Sequence, residues 1–187
     1  MTHRWPLLAI LFAAVSGCSA SRPAEPELLK SATIKDIMDS MVDPSGEFLF
    51  DSVAQIADEH GITEKAPHTD EEWKEVRRHV IQLVEAPNLL VMKGRQVARG
   101  DEKAENPEIE LPPAQIQALI DGDRALFLDR AHALQDAALL ALKAVDDKNK
   151  EALFAACERL DKACENCHLK YWYPNDKRAQ EAARQNQ

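Results

Sequence analysis

Cys164-Glu165-Asn166-Cys167-His168 places two thiols and an imidazole within five positions. This C-x-x-C-H pattern is the signature of covalent haem attachment: both thiols add across the haem vinyl groups, and the adjacent histidine reaches the iron. The expected cofactor is therefore one covalent haem c, held by Cys164 and Cys167 as thioethers and by His168 as the proximal iron ligand. A zinc site is the first alternative, completed by a further ligand such as Cys157. Cys157 lies two helical turns earlier, about 10 Å along a helix axis, which is far for a tetrahedral ion. A Cys164–Cys167 redox disulfide is the second. That motif belongs at a helix start beside a sheet, and the sequence predicts no sheet.

The other end of the chain bears on the compartment. His3 and Arg4 precede an apolar run, Pro6 to Val15, that is short for a membrane span and ends in Val15-Ser16-Gly17-Cys18. The tetrapeptide resembles a bacterial lipobox. It predicts a signal peptide over residues 1–17 and lipidation of Cys18, where multiple acyl chains give stable anchoring. Ser19, in place of Asp, resembles lipoproteins sorted to the outer membrane. An ordinary signal peptide with an incidental Cys18 is the blander alternative. Either way the expectation is export to the periplasm, where haem is attached to c-type cytochromes.

Of the 187 residues, 23 are Lys or Arg and 32 are Asp or Glu. Removing the leader takes only Arg4 among them, leaving 22 against 32, a net charge of −10. An acidic chain argues against nucleic acid and against electrostatic binding to anionic lipid. It suits a basic partner protein, but solubility is the blander explanation and the preferred one. With Cys18 lipidated and two cysteines on haem, Cys157 is left over as buried apolar filler, and no disulfide framework is expected.

The elements that must position these groups are read from periodicity. Residues 18–30 are small, polar and proline-containing, a tether. One folded unit is expected over 31–174, and 175–187 is a polar tail expected to fray. Ile34, Ile37, Met38 and Met41 mark a first helix, with Asp43-Pro44 as a break and restart. Phe48, Leu49, Val53 and Ile56 carry it on to about His60. Thr69 and Glu72 have capping-box spacing ahead of a second helix with the stripe Trp73, Val76, Val80, Leu83 and Val84, and a kink at Pro87. Residues 94–113 read as a long loop. A third helix starts near Pro113 and runs unbroken to Val145, with Asp123 on its inner side. In the fourth, Leu153, Cys157, Leu160, Cys164, Cys167 and Tyr171 alternate steps of four and three, an inward seam. The predicted fold is all-α, an antiparallel four-helix bundle with covalently bound haem on its last helix.

With the haem motif late in the last helix and Tyr171 three residues after the histidine, the chain resembles the class II c-type cytochromes, cytochrome c-prime and its low-spin relatives, over about residues 31–173. The resemblance implies that the first helix supplies the group above the opposite haem face. Methionine there gives six-coordinate iron; an apolar residue leaves iron open to small gases. Matching the first helix puts Met38 at that position, with Met41 one turn on as second choice; the histidines His79 and His132, and more remotely His60 and His68, are the rival ligands. Ile34 stands where the family carries an arginine, with Lys35 as the substitute propionate contact, and Trp172 stands where it carries a basic residue. The aromatics Trp73, Phe127, Tyr171, Trp172 and Tyr173 are candidate haem neighbours. The function implied is single-electron transfer through a His/Met-ligated haem, not enzymatic, with an unidentified redox partner protein, a lipid-anchored membrane attachment and a possible homodimer. The alternative is five-coordinate iron binding NO or CO; weak peroxidase chemistry ranks below both, because no distal His–Arg pair is evident.

Overall fold

The computed structural model describes residues 28–59 and 61–185. The leader, Cys18, most of the tether and His60 lie outside the described residues. The fold is mostly helical, 68 % of it, with little strand. The helical path opens with α1 (Ile34–Ile37), passes through a π-turn (Met38–Val42) and continues as α2 (Asp43–Ser52). A hairpin follows, β1 (Ala54–Asp58) and β2 (Gly61–Lys65), then α3 (Asp70–Leu90). After an irregular stretch come α4 (Pro113–Gly122), α5 (Arg124–Asp146), α6 (Lys150–Tyr171) and α7 (Lys177–Gln185).

The chain does not break at Asp43-Pro44. Ile37, Met38, Val42 and Asp43 all keep right-handed helical dihedrals, and the Asp43 N–H bonds the Met38 carbonyl, five residues back. Asp43 is thus no cap. A proline in a regular helix lacks the N–H for the carbonyl four residues earlier and its ring clashes with it. One wide turn just ahead of Pro44 relieves that conflict without ending the helix.

Nor does this helix reach His60. The Ser52 hydroxyl donates to the Phe48 carbonyl at 2.6 Å, and Val53 is already extended at φ −139° and ψ 114°. The following segment, with Ile56, Ile62 and Thr63, forms an antiparallel hairpin in the register Ala54 with Lys65 and Asp58 with Gly61. Gly61, at φ +124°, supplies the turn conformation that a side chain would resist. The predicted third helix is likewise two helices. Gly122 ends α4, and Asp123 caps α5 by accepting from the Leu126 N–H at 3.0 Å. Asp123 is exposed. The tail also differs from expectation: the Asp176 carboxylate accepts from the Arg178 and Ala179 N–H groups and starts α7.

The capping boxes are as the sequence spells them, Thr69 with Glu72 on α3 and, unforeseen, Thr33 with Asp36 on α1. The α3 stripe from Trp73 to Val84 is buried throughout, and α3 continues through the buried Pro87 to Leu90. Alanines 131, 137, 138, 141 and 144 let α5 lie close against both α3 and α6. The first helix packs on α3, α3 on α5, and α5 on α6; the first helix and α6 are not a closely packed pair.

Residues 91–112 are tied down where they cross the helix ends. Buried Arg95 donates to the Leu89 and Ala32 carbonyls. The Gln96 and Val97 carbonyls accept from the Ile34 and Lys35 N–H groups, both at 2.9 Å. These are first-turn donors that a helix cannot satisfy itself. The Leu111 N–H reaches the Trp172 carbonyl at 2.8 Å, so the loop links the start of the first helix to the end of α6.

Candidate haem site

Asn149 caps α6 by accepting from the Ala152 N–H at 2.8 Å, and the helix then holds one phase to Tyr171. Leu153, Cys157, Leu160 and Tyr171 are buried, whereas Cys164 and Cys167 are half-buried. The predicted seam is therefore real, and it opens at the two motif cysteines. Tyr171 meets Phe127 of α5 edge-on, ring centroids 5.6 Å apart. Its hydroxyl and the Nε of Arg130 are buried without a hydrogen-bond partner among the described residues. Each such orphan costs about 1–3 kcal/mol unless water or a bound group satisfies it. This end of the helix pair is not a finished apolar core.

Burial disfavours the thiolate at each of the three cysteines among the described residues. Burial pushes Cys157 and Cys164 up to about 12, with Asp161, among the other acidic groups near Cys164, adding to its shift. Burial pushes Cys167 up to about 11, opposed by Arg130. A redox C-x-x-C pair needs the reverse, a thiolate favoured by its surroundings. Among the described residues no three His, Cys, Asp or Glu side chains gather as an ion site. Cys157, 7 % exposed and on the helix-packing seam, has the environment of an apolar filler.

At the end of α6 the chain doubles back over the histidine. The Trp172 and Tyr173 N–H groups both bond the His168 carbonyl, at 2.7 and 3.0 Å. The Tyr173 ring comes to rest against the His168 imidazole, centroids 5.5 Å apart at 60°. The Tyr173 hydroxyl donates to Glu165 Oε2 at 2.8 Å and lies 3.3 Å from His168 Nδ1. Burial lowers the His168 pKa, against the pull of Asp43 and Glu165, which favours the neutral ring.

His168, Trp172 and Tyr173 form one wall of a cleft of about 230 Å³. Met38, supplied by the first helix, lines the same cleft with Lys35, Asp39 and Asp43, whereas Cys164 and Cys167 do not line it. Glu105 and Glu110 reach it from the long loop. Met41 packs against the core and is not part of this cleft. Lys35 is held by Glu105 at 2.7 Å and Asp39 at 3.2 Å, contacts that keep its ammonium firmly protonated. A larger cavity, about 670 Å³ between the loop at 96–107 and the start of α4, carries none of the predicted ligands.

The rival histidines have other occupations. His79 stacks on Phe48 at 4.0 Å, with Ser45 Oγ 3.3 Å from its Nδ1 and Glu75 beside Nε2. His132 and His68 are exposed. Trp73 and Phe127 are core residues, as their helix faces require. The sequence pattern did not single out Glu165, although it lies one turn before His168 on the same helix face; Tyr173 was expected only as a packing neighbour.

The chain has no match among protein-family models, curated proteins or solved structures.

Proposed function

We propose that the protein is an exported, lipid-anchored c-type cytochrome that carries single electrons. Cys164 and Cys167 would hold the haem as thioethers, His168 would bind its iron and Met38 would be the second axial ligand. The observation that carries this reading is the convergence of Met38 and His168 on one cleft from helices far apart in the chain. The donor types fit: two thiols on one helix face just outside the cleft lining, an imidazole whose burial disfavours its charged form, and a thioether, the last two being the usual axial pair of electron-carrying cytochromes. When bound, the haem supplies a one-electron iron couple. The protein's part is to hold both ligands on rigid helices and wall the cleft with Trp172 and Tyr173. Little then has to rearrange when the charge changes.

In this reading the first helix, α3, α5 and α6 are the members of a four-helix bundle. Cofactor pockets run to about 300–1,000 Å³, more than the cleft offers. The first helix and α6 are not a closely packed pair, and a haem held by Met38 and His168 would lie between them. Among the described residues His168 is the one imidazole lining the cleft, and no arginine lines it. The proposed role is carriage of electrons, without bond-making chemistry. The anchor at Cys18 and a periplasmic, outer-membrane location belong to the same proposal, with a redox partner protein and a possible homodimer. No helix among the described residues is long and apolar enough to cross a membrane.

The test is covalent loading. Expressed for export alongside haem-attachment machinery, the denatured protein should retain haem absorbance, and the double replacement Cys164→Ser/Cys167→Ser should abolish it. A wild-type protein that gives up all its haem on denaturation, or never takes any, would overturn the proposal.

A further inference from the structure

We propose that Tyr173 and Glu165 are positioning residues for His168, fixing which ring nitrogen faces the iron and how strongly it donates; this rests on the haem reading above. A phenol has one proton to give. Tyr173 gives it to Glu165 Oε2 at 2.8 Å, the shorter contact and the one to an acidic group. The remaining lone pairs of its oxygen face His168 Nδ1 at 3.3 Å. That neighbour can only be bonded if Nδ1 carries the ring proton, so the Nε2 lone pair is the one left for a metal. The contact is long for an N–H···O bond, so it selects orientation and tautomer more than it adds energy.

The framework for this chain is local. Glu165 sits one turn before His168 on α6, and the Tyr173 N–H is bonded to the His168 carbonyl at 3.0 Å. The acceptor chain therefore moves with the imidazole as a unit. Histidine ligands commonly donate their other N–H to a carboxylate or carbonyl, which raises their basicity toward the metal. Here the carboxylate acts through the phenol. A more basic imidazole favours ferric over ferrous iron, so the intact chain holds the reduction potential down.

The experiment is the reduction potential of the full-length, haem-loaded protein with Tyr173→Phe, Glu165→Gln and both together, alongside thermal unfolding. Each single variant should raise the potential of the protein that is haem-loaded. Because Glu165 works through Tyr173, adding Glu165→Gln to Tyr173→Phe should move the potential little further. Fully additive shifts would show Glu165 acting as a distant charge and overturn the relay. Unchanged potentials, with or without lower unfolding temperatures, would reduce the pair to a cap on α6 and overturn it also. Absence of covalent haem from the wild type would instead overturn the functional reading beneath it.

Discussion

Replacing Pro44 with alanine sets two opposing free-energy terms against each other. The new N–H and the loss of the ring would favour a regular helix, by at most about 3 kcal/mol, the cost of proline in a helix interior. Closing the π-turn would rotate Ile34 and Ile37 by about 100° relative to α2. Those side chains are 6 % and 2 % exposed. Their removal from the core would cost about 1.5–3 kcal/mol each. The bonds from the Ile34 and Lys35 N–H groups to Gln96 and Val97 would also be lost, at about 1 kcal/mol apiece. Packing wins, and the π-turn should survive. Pro44→Ala is expected to change stability by no more than about 1 kcal/mol, since the alanine also loosens the unfolded chain. Ile37→Ala should cost about 2–5 kcal/mol. Thermal unfolding followed by circular dichroism reads both, at roughly 2–4 °C per kcal/mol for a chain of this size. The ferric spectrum of Pro44→Ala should match wild type because Met38 has not turned. A loss above about 3 kcal/mol, or changed axial ligation in Pro44→Ala beside a mild Ile37→Ala, would show that proline and not packing sets the register.

Thr69→Ala should remove the side-chain cap of α3 and lower stability by about 1 kcal/mol, measured by urea unfolding. The His68 and Thr69 N–H groups hold the Glu72 carboxyl below its usual range, and Lys148 does the same for Asp70. Groups depressed on folding stabilise above their unfolded value and lose that contribution as pH falls toward the folded one. Acid unfolding should therefore begin below about pH 4, and Glu72→Gln should weaken the dependence; a curve unchanged by Glu72→Gln would exclude the capping box as its source. Cys157→Ala should keep full haem content while losing about 1 kcal/mol, and loss of haem would make Cys157 part of the site.

What could be read from the sequence is local. C-x-x-C-H is contiguous, the α6 seam follows from one period, and Thr69 with Glu72 is a spacing. The α3 stripe was legible for the same reason. What was missed depended on competition between neighbours. Pro44 looked like a helix break because a π-turn leaves no trace in a window read at 3.6 residues per turn. Ile56 continues an apolar helical face on paper, yet Ser52 bonding back to Phe48 and Gly61 at positive φ favour a hairpin. Asp123 fits the inner side of a helix and equally a cap; Gly122 beside it decided for the cap. Glu165 occupies a variable position inside the motif, and its bond to Tyr173 exists only once the chain turns back at Trp172. The placement of Glu105 beside Lys35 depends on loop 91–112, whose path is set by buried Arg95.

In the proposed cytochrome Met38 and His168 face one iron. The most direct measurement is the optical spectrum of the haem-loaded protein, oxidised and reduced, with and without carbon monoxide, for wild type, Met38→Ala and Met41→Ala. Wild type and Met41→Ala should be low-spin, with the methionine–iron charge-transfer band in the ferric state and little response to carbon monoxide. Met38→Ala should lose that band and bind carbon monoxide readily when reduced. A wild type that is high-spin and binds carbon monoxide as readily as Met38→Ala would contradict the account and make the protein a five-coordinate gas binder.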